Sequence, residues 1–142
     1  MTDRRTEVDK QYAWPEGHWD WPVHLPYRHG VKAVGHMIFL GGQVAMDSNG
    51  DVLHKFDLAA QTRIAMENIA AVLAEFGASM RDVVKINRWY VAGGTVEEWQ
   101  TAAEIMASFF TEPGPAATGI PVPALAYEGL MVEIEVIAMV DS

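Results

Sequence analysis

The residues best suited to chemistry are two glutamates, Glu133 and Glu135, inside the apolar run Leu130 to Val140. In a strand, positions two apart point to the same side, so the two carboxylates share a face. A carboxylate in a partly dry cleft can orient or deprotonate an attacking water. Glu133 is therefore the candidate catalytic residue, and Glu135 is read as structural. The alternative for Glu133 is an interface glutamate paired with a donor on another subunit. Tyr27 could hold a substrate through its hydroxyl, or be a half-buried ring with a wet tip. Gly41 and Gly42 could turn backbone N–H groups toward an oxyanion or carboxylate, or simply form a tight strand exit. The chain has no cysteine, which excludes a thiol nucleophile and a zinc–thiolate site. The histidines at 18, 24, 29, 36 and 54 lack the i, i+4 helical pairing of a metal site, so no metal is expected. Asp47 to Asp51 is a turn by composition rather than a calcium loop.

Those residues need elements to position them. At 142 residues, half of them hydrophobic, the chain fits one domain with a real core. The N-terminus is charged, polar and expected to fray over residues 1–11, with no secretory signal. Residues 12–27 hold three of the five tryptophans among prolines, which predicts an extended arm lying on a surface. Gly30 to Val34 and His36 to Leu40 read as a hairpin around Gly35. From Asp57, apolar residues recur at helical spacing up to Phe76, with Asp57 as N-cap and Gly77 as the stop. Val83 to Val91 reads as a strand. Thr95 to Glu98 is a capping box opening a second helix, which carries Trp99, Ala102, Ala103, Met106, Phe109 and Phe110 on one face and ends by Pro113-Gly114-Pro115. Ala117 to Val122 and Leu130 to Val140 complete a β-β-α-β-α-β-β order. This is α+β, a mixed sheet with both helices packed on one face. The domain is placed at 26–142 and the arm at 1–25.

In the last strand the even positions are all apolar and must meet the helices. The odd positions are Met131, Glu133, Glu135, Ile137 and Met139, carboxylates flanked by apolar side chains. The strand at 83–91 also places Val83, Trp89 and Val91 opposite Val84, Ile86 and Tyr90. Two strands apolar on both faces need two covers. The helices supply one, and self-association would supply the other.

The formal charge is −9. The ten Lys and Arg are scattered, without the basic stripe that displaces counterions from phosphates. Nucleic acid and anionic membranes are thus disfavoured as partners. No apolar run approaches the ~20 residues needed to span a bilayer, and a cytoplasmic location is expected.

The series Gly41-Gly42-Gln43, Ala60-Gln61-Thr62, Glu67-Asn68-Ile69, Phe76 to Ser79, Asp82 to Lys85, Phe109-Phe110, Pro115-Ala116 and Val132 to Glu135, with Pro26-Tyr27 and Gly30-Val31, resembles the RidA/YjgF (L-PSP-like) family of imine and enamine deaminases. The likeness runs from about 26 to 140. It implies a chorismate-mutase-like fold, a homotrimer, small-molecule clefts between subunits and no cofactor. It also implies that Tyr27, Gln43 and Glu133 line the cleft, with Gly41, Gly42, Ala117 and Thr118 around the substrate. Family members that hydrolyse 2-imino acids carry an arginine after the Pro-Ala that follows the second helix. It grips the substrate carboxylate through a bidentate pair. Here that position is Ala117, and Ala103 likewise replaces an asparagine. Two other arginines look like poor substitutes. Arg28 points opposite to Tyr27, and Arg88 shares the helix side with Ile86 and Tyr90. The resemblance implies a hydrolase or deaminase with altered recognition. The alternatives are a trimeric ligand-binding protein without catalysis and, disfavoured by charge, a ribonuclease.

Overall fold

Asp57 sets the start of the first helix as its type predicts. In extended conformation, its side chain accepts from Ala60 N at 3.0 Å and caps α1 (Leu58–Glu75). Phe76 closes the helix and Gly77 follows at φ +66°, a left-handed turn that glycine takes without steric cost. The face carrying Leu58, Ala65, Met66, Ile69 and Leu73 is buried. The second helix, α2 (Val96–Ala107), opens on the full capping box, with Thr95 and Glu98 each accepting from the other's backbone. It stops earlier than the sequence pattern predicts. Phe109 and Phe110 lie beyond its end, packed against the core from a turn.

The computed structural model describes residues 7–18 and 25–141. Six strands lie within them: β1 (Lys10–Ala13), β2 (Gly30–Ala33), β3 (His36–Phe39), β4 (Val83–Val91), β5 (Ala116–Val122) and β6 (Val132–Val140). The main sheet runs β3-β6-β4-β5, parallel only between β4 and β5. This is a mixed sheet with two helices on one face, the α+β architecture read from the sequence.

Two local expectations are corrected. The stretches flanking Gly35 do not pair as a hairpin, because β2 pairs with β1 and β3 pairs with the far end of β6. Gly35 sits so close to the Val140 carbonyl and to Met139 that no side chain fits there, which marks a chain crossing rather than a hairpin turn. Lys10 and Gln11, expected to fray, belong with Tyr12 and Ala13 to a paired strand. Lys10 Nζ is held by Glu7 at 2.9 Å and by the Arg81 carbonyl, so backbone pairing and that anchor order a segment of polar composition.

The β6 alternation holds through the strand. Val132, Ile134, Val136, Ala138 and Val140 are buried, whereas Glu133, Glu135, Ile137 and Met139 are half-buried on the other side. On β4 a bulge between Val83 and Lys85 changes the parity. Val83 pairs with Ala138 and joins the core with Ile86, so it does not belong to the outer face with Trp89 as the alternation predicts.

Gln61 welds the loops to this layer. It is fully buried, its amide donates to the carbonyls of Leu53, His54 and Gly129 at 3.2, 3.0 and 2.8 Å, and its oxygen accepts from Met131 N at 2.7 Å. The amide replaces ladder partners that these loop groups lack. The 47–51 segment is the expected turn, with Asp47 Oδ1 accepting from Asn49 N and Asp51 N, both at 2.9 Å.

Candidate functional site

The expected site residues fall into two groups, one on each face of the sheet. Directly paired residues of neighbouring strands share a face. Ile134 of β6, Arg88 of β4 and Gly119 of β5 are in register and face the helices. Glu133 and Trp89, likewise paired, face the back.

Gln43 forms an antiparallel bridge to Ile134 through two backbone hydrogen bonds, of 2.8 and 3.1 Å, so it shares the helix side with Ile134 and leaves its neighbour Gly42 on the back. That pairing lays Gly42 on the Glu133 side chain. A Cβ on Gly42 would stand 2.8 Å from the Glu133 Cδ, so only glycine admits the carboxylate where it is. The Gln43 amide donates to the Gly41 carbonyl at 3.1 Å and shapes the loop. Glu135 accepts from Asn87 Nδ2 at 3.1 Å, which fits its structural reading. The surrounding surface is apolar and uncovered: on β3, Met37 is 52% and Phe39 65% exposed, each paired across from Met139 and Ile137.

On the helix side, Tyr27, Ala117 and Thr118 meet at a cavity of about 280 Å³, which Ala103 and Trp99 of α2 also line. Tyr27 is brought there by an edge segment. Arg28 bridges Ala116 in parallel, its N–H bonds the Pro115 carbonyl at 3.2 Å, and Gly114 N donates to Pro26 O at 2.6 Å. The Tyr27 ring packs edge-on to Phe110, with centroids 6.0 Å apart. The Tyr27 hydroxyl is buried with no hydrogen-bond partner, and burial pushes its pKa far above the usual tyrosine value. Thr118 pairs with Asn87 and so turns its hydroxyl to the back, where it accepts from Lys85 Nζ at 2.6 Å and offers the cavity no donor. Arg28 is committed to Glu112 at 2.6 Å and to the Tyr27 carbonyl at 3.1 Å. Trp14, of the arm read from the sequence, lies against His29 (ring centroids 4.3 Å apart) at the rim of this cavity. Its companions Trp19 and Trp21, like His24, lie outside the described residues.

Sequence reasoning passed over Arg88. It is on the helix side as expected, yet that side is not closed core at this point. Only 6% exposed, Arg88 lines the same cavity as Tyr27 and Ala117. Its guanidinium carbon lies 4.9 Å from the Tyr90 ring centroid and 5.6 Å from that of Trp99, and its Nε has no acceptor. Burial lowers its pKa, while Tyr27 and Tyr90 pull it back up. Arginine nonetheless stays charged in proteins. The available clue was that β5 offers a glycine, Gly119, directly across from Arg88. A Cβ there would lie 3.2 Å from Nη2.

Among the described residues there is no cluster of three metal-ligating side chains, and no helix is long and apolar enough to cross a membrane.

Residues 21–140 match the family described as endoribonuclease L-PSP. A 3-aminoacrylate deaminase, RutC, from Acinetobacter baylyi is 30% identical over 133 residues, covering 94% of this chain and all of that one. A 2-iminobutanoate/2-iminopropanoate deaminase from Dermatophagoides farinae is 29% identical over 116 residues, covering 82% and 87% of the two chains. Among solved structures, a protein of the conserved Rid family from Yersinia pestis superposes with a TM-score of 0.80 at 30% identity, covering 92% and 98%.

Proposed function

The chain belongs to the endoribonuclease L-PSP family, also called RidA/YjgF, and on that premise we propose that it is a small-molecule hydrolase or deaminase. It acts on an imine, enamine or related compound in a cleft between the subunits of a homotrimer. The observation that carries this reading is the split of the site residues between two sheet faces. Tyr27 and Ala117 sit at a helix-side cavity, while Gly42 and Glu133 meet on the back. One chain cannot bring its own Glu133 through the sheet to its own cavity. A second copy, seated by the exposed apolar back around Met37 and Phe39, can present Glu133 to its neighbour's cavity edge.

In that cleft Glu133 takes a proton from water as the oxygen adds to the C=N carbon. The same carboxyl returns that proton to the nitrogen, giving a carbinolamine; it then takes the hydroxyl proton and delivers it to the amine as the C–N bond breaks, so that ammonia and a carbonyl compound leave. An enamine first takes a proton on carbon to become the imine. The N–H groups of Gly41 and Gly42 suit an oxyanion or carboxylate beside Glu133. Substrate recognition differs from the family pattern, because Ala117 offers a methyl where an arginine would grip a carboxylate. A cytoplasmic location is part of the same proposal and rests on the polar, acidic sequence.

The small, apolar side chains of Ala103 and Ala117 at the cavity favour one second reading, a trimeric ligand-binding protein without turnover. The net charge of −9 weighs against a ribonuclease. The test is ammonia release from 2-iminobutyrate and 2-aminoacrylate generated in situ, with Glu133→Gln as control. Release that depends on Glu133 is expected. No turnover of any imine by a protein that still binds small carboxylates would leave only the second reading. Light scattering should give three times the 15.7 kDa chain mass, and a stable monomer would overturn the cleft.

A further inference from the structure

We infer that Arg88 makes the helix-side cavity a site for a monocarboxylate with an apolar or aromatic body, gripped by the Arg88 guanidinium and the Tyr27 hydroxyl. The inference rests on the preceding reading for the fate of the ligand but not for its binding.

Two polar groups bordering this cavity are buried and lack hydrogen-bond partners: Arg88 Nε and the Tyr27 hydroxyl. Such groups are rare and costly, most of all on a cation. The rings of Tyr90 and Trp99 offset part of the charge through their faces. A ring face does not accept the in-plane N–H of the guanidinium, so an acceptor is still wanted at Nε. Among the described residues no Asp or Glu lines the cavity, although the chain as a whole is acidic. The other lining arginine, Arg28, already pairs with Glu112. The missing acceptor is therefore an anion from outside.

Its shape follows from the walls. A planar carboxylate matches two N–H groups of one guanidinium in a fork. Tyr27, held neutral by burial, supplies an O–H donor to the same anion. A dianion such as phosphate would need more charge than one arginine provides. Beyond the polar end the walls are Leu25, Trp14, Trp99, Ala103 and Met106, suited to a hydrocarbon or ring. At about 280 Å³ the space is near the lower end for small-molecule pockets, roughly 300 Å³. Gly119 leaves the guanidinium its room from the β5 side.

The experiment is calorimetric titration of the full chain with phenylacetate, acetate, phenylacetamide and inorganic phosphate. Phenylacetate should bind at least tenfold more tightly than acetate, which lacks the body, and than phenylacetamide, which lacks the charge. Phosphate should bind more weakly still. Arg88→Met should lose at least tenfold in phenylacetate affinity, Arg88→Lys should lose less, and Tyr27→Phe should lose several-fold. Without ligand, Arg88→Met should melt no lower than the parent, since it removes a buried unpaired charge. Phenylacetate should raise the parent's melting temperature but not that of Arg88→Met. Equal binding of the acid and its amide overturns the inference without any variant, as does unchanged affinity in Arg88→Met. Tighter binding of phosphate than of phenylacetate overturns the ligand class. If phenylacetate binds through Arg88 but no imine is turned over, the site stands and the deaminase reading falls. If imines are turned over with KM unchanged in Arg88→Met, the reverse holds.

Discussion

The two faces of the central sheet carry opposite kinds of incompleteness. On the helix side, Arg88 and Tyr27 are buried with unused hydrogen-bonding atoms beside a cavity. On the back, Glu133 and Gly42 are set among apolar side chains that water still reaches. The first face lacks an acceptor, which the proposed small-molecule anion would supply. The second lacks a cover, which only a large surface supplies. On the proposed reading, reactivity and recognition are separated by the thickness of one sheet, and the assembly would join them.

Substitutions can test that separation. The largest effect is expected from Glu133→Gln, which should lower the rate of ammonia release by about 10²–10⁴-fold while leaving the fold intact. Phe39→Asp should come next. At 65% exposure its cost to the single chain is within about 0.5 kcal/mol, but a charge on the back should shift the mass by light scattering from trimer toward monomer and remove turnover with it. Retained turnover in a monomer would break the comparison, because one face would then suffice. Gly42→Ala is a finer probe. The new methyl would press on the flexible end of Glu133, so kcat should fall on the order of 10²-fold, the scale of an ångström's misplacement, with little change in melting temperature.

The smallest effect concerns pH. Tyr27 keeps its proton in the folded chain well above the ordinary tyrosine value near 10 because it is buried. The unfolded chain loses that proton near pH 10. Stability is therefore full below pH 10 and declines as the pH rises beyond it. Urea melts of Tyr27→Phe should show a shallower alkaline decline than the parent, and equal slopes would mean that Tyr27 is not buried as described.

Where local chemistry dictates geometry, the sequence was a sufficient guide. Asp57 capped its helix, Thr95 and Glu98 formed their box, and β6 kept its alternation to the end. It failed where distant pairing overrode local composition. Lys10 to Ala13 became a strand through β2, and the residues around Gly35 went to different sheets. For the candidate site, Glu133 and Tyr27 were singled out because their types suit the proposed chemistry and the resemblance marked them. Arg88 was not, because placing a residue on the core side says nothing of whether the core is filled there. The cavity arises from small side chains far apart in sequence, Ala103, Ala117 and Gly119.

The bulge at the start of β4 has a consequence for that arginine. Val83 and Ile86 both reach the core, so the strand's inward positions are odd before the bulge and even after it. Val84 is the extra residue that changes the count. Without the bulge, an unbroken alternation through Val84 would set positions 83 and 88, five apart, on opposite faces, and the strand could keep either Val83 or Arg88 facing inward, but not both. The position of the buried cation is thus a matter of phase, set by a residue skipped in the register with β6.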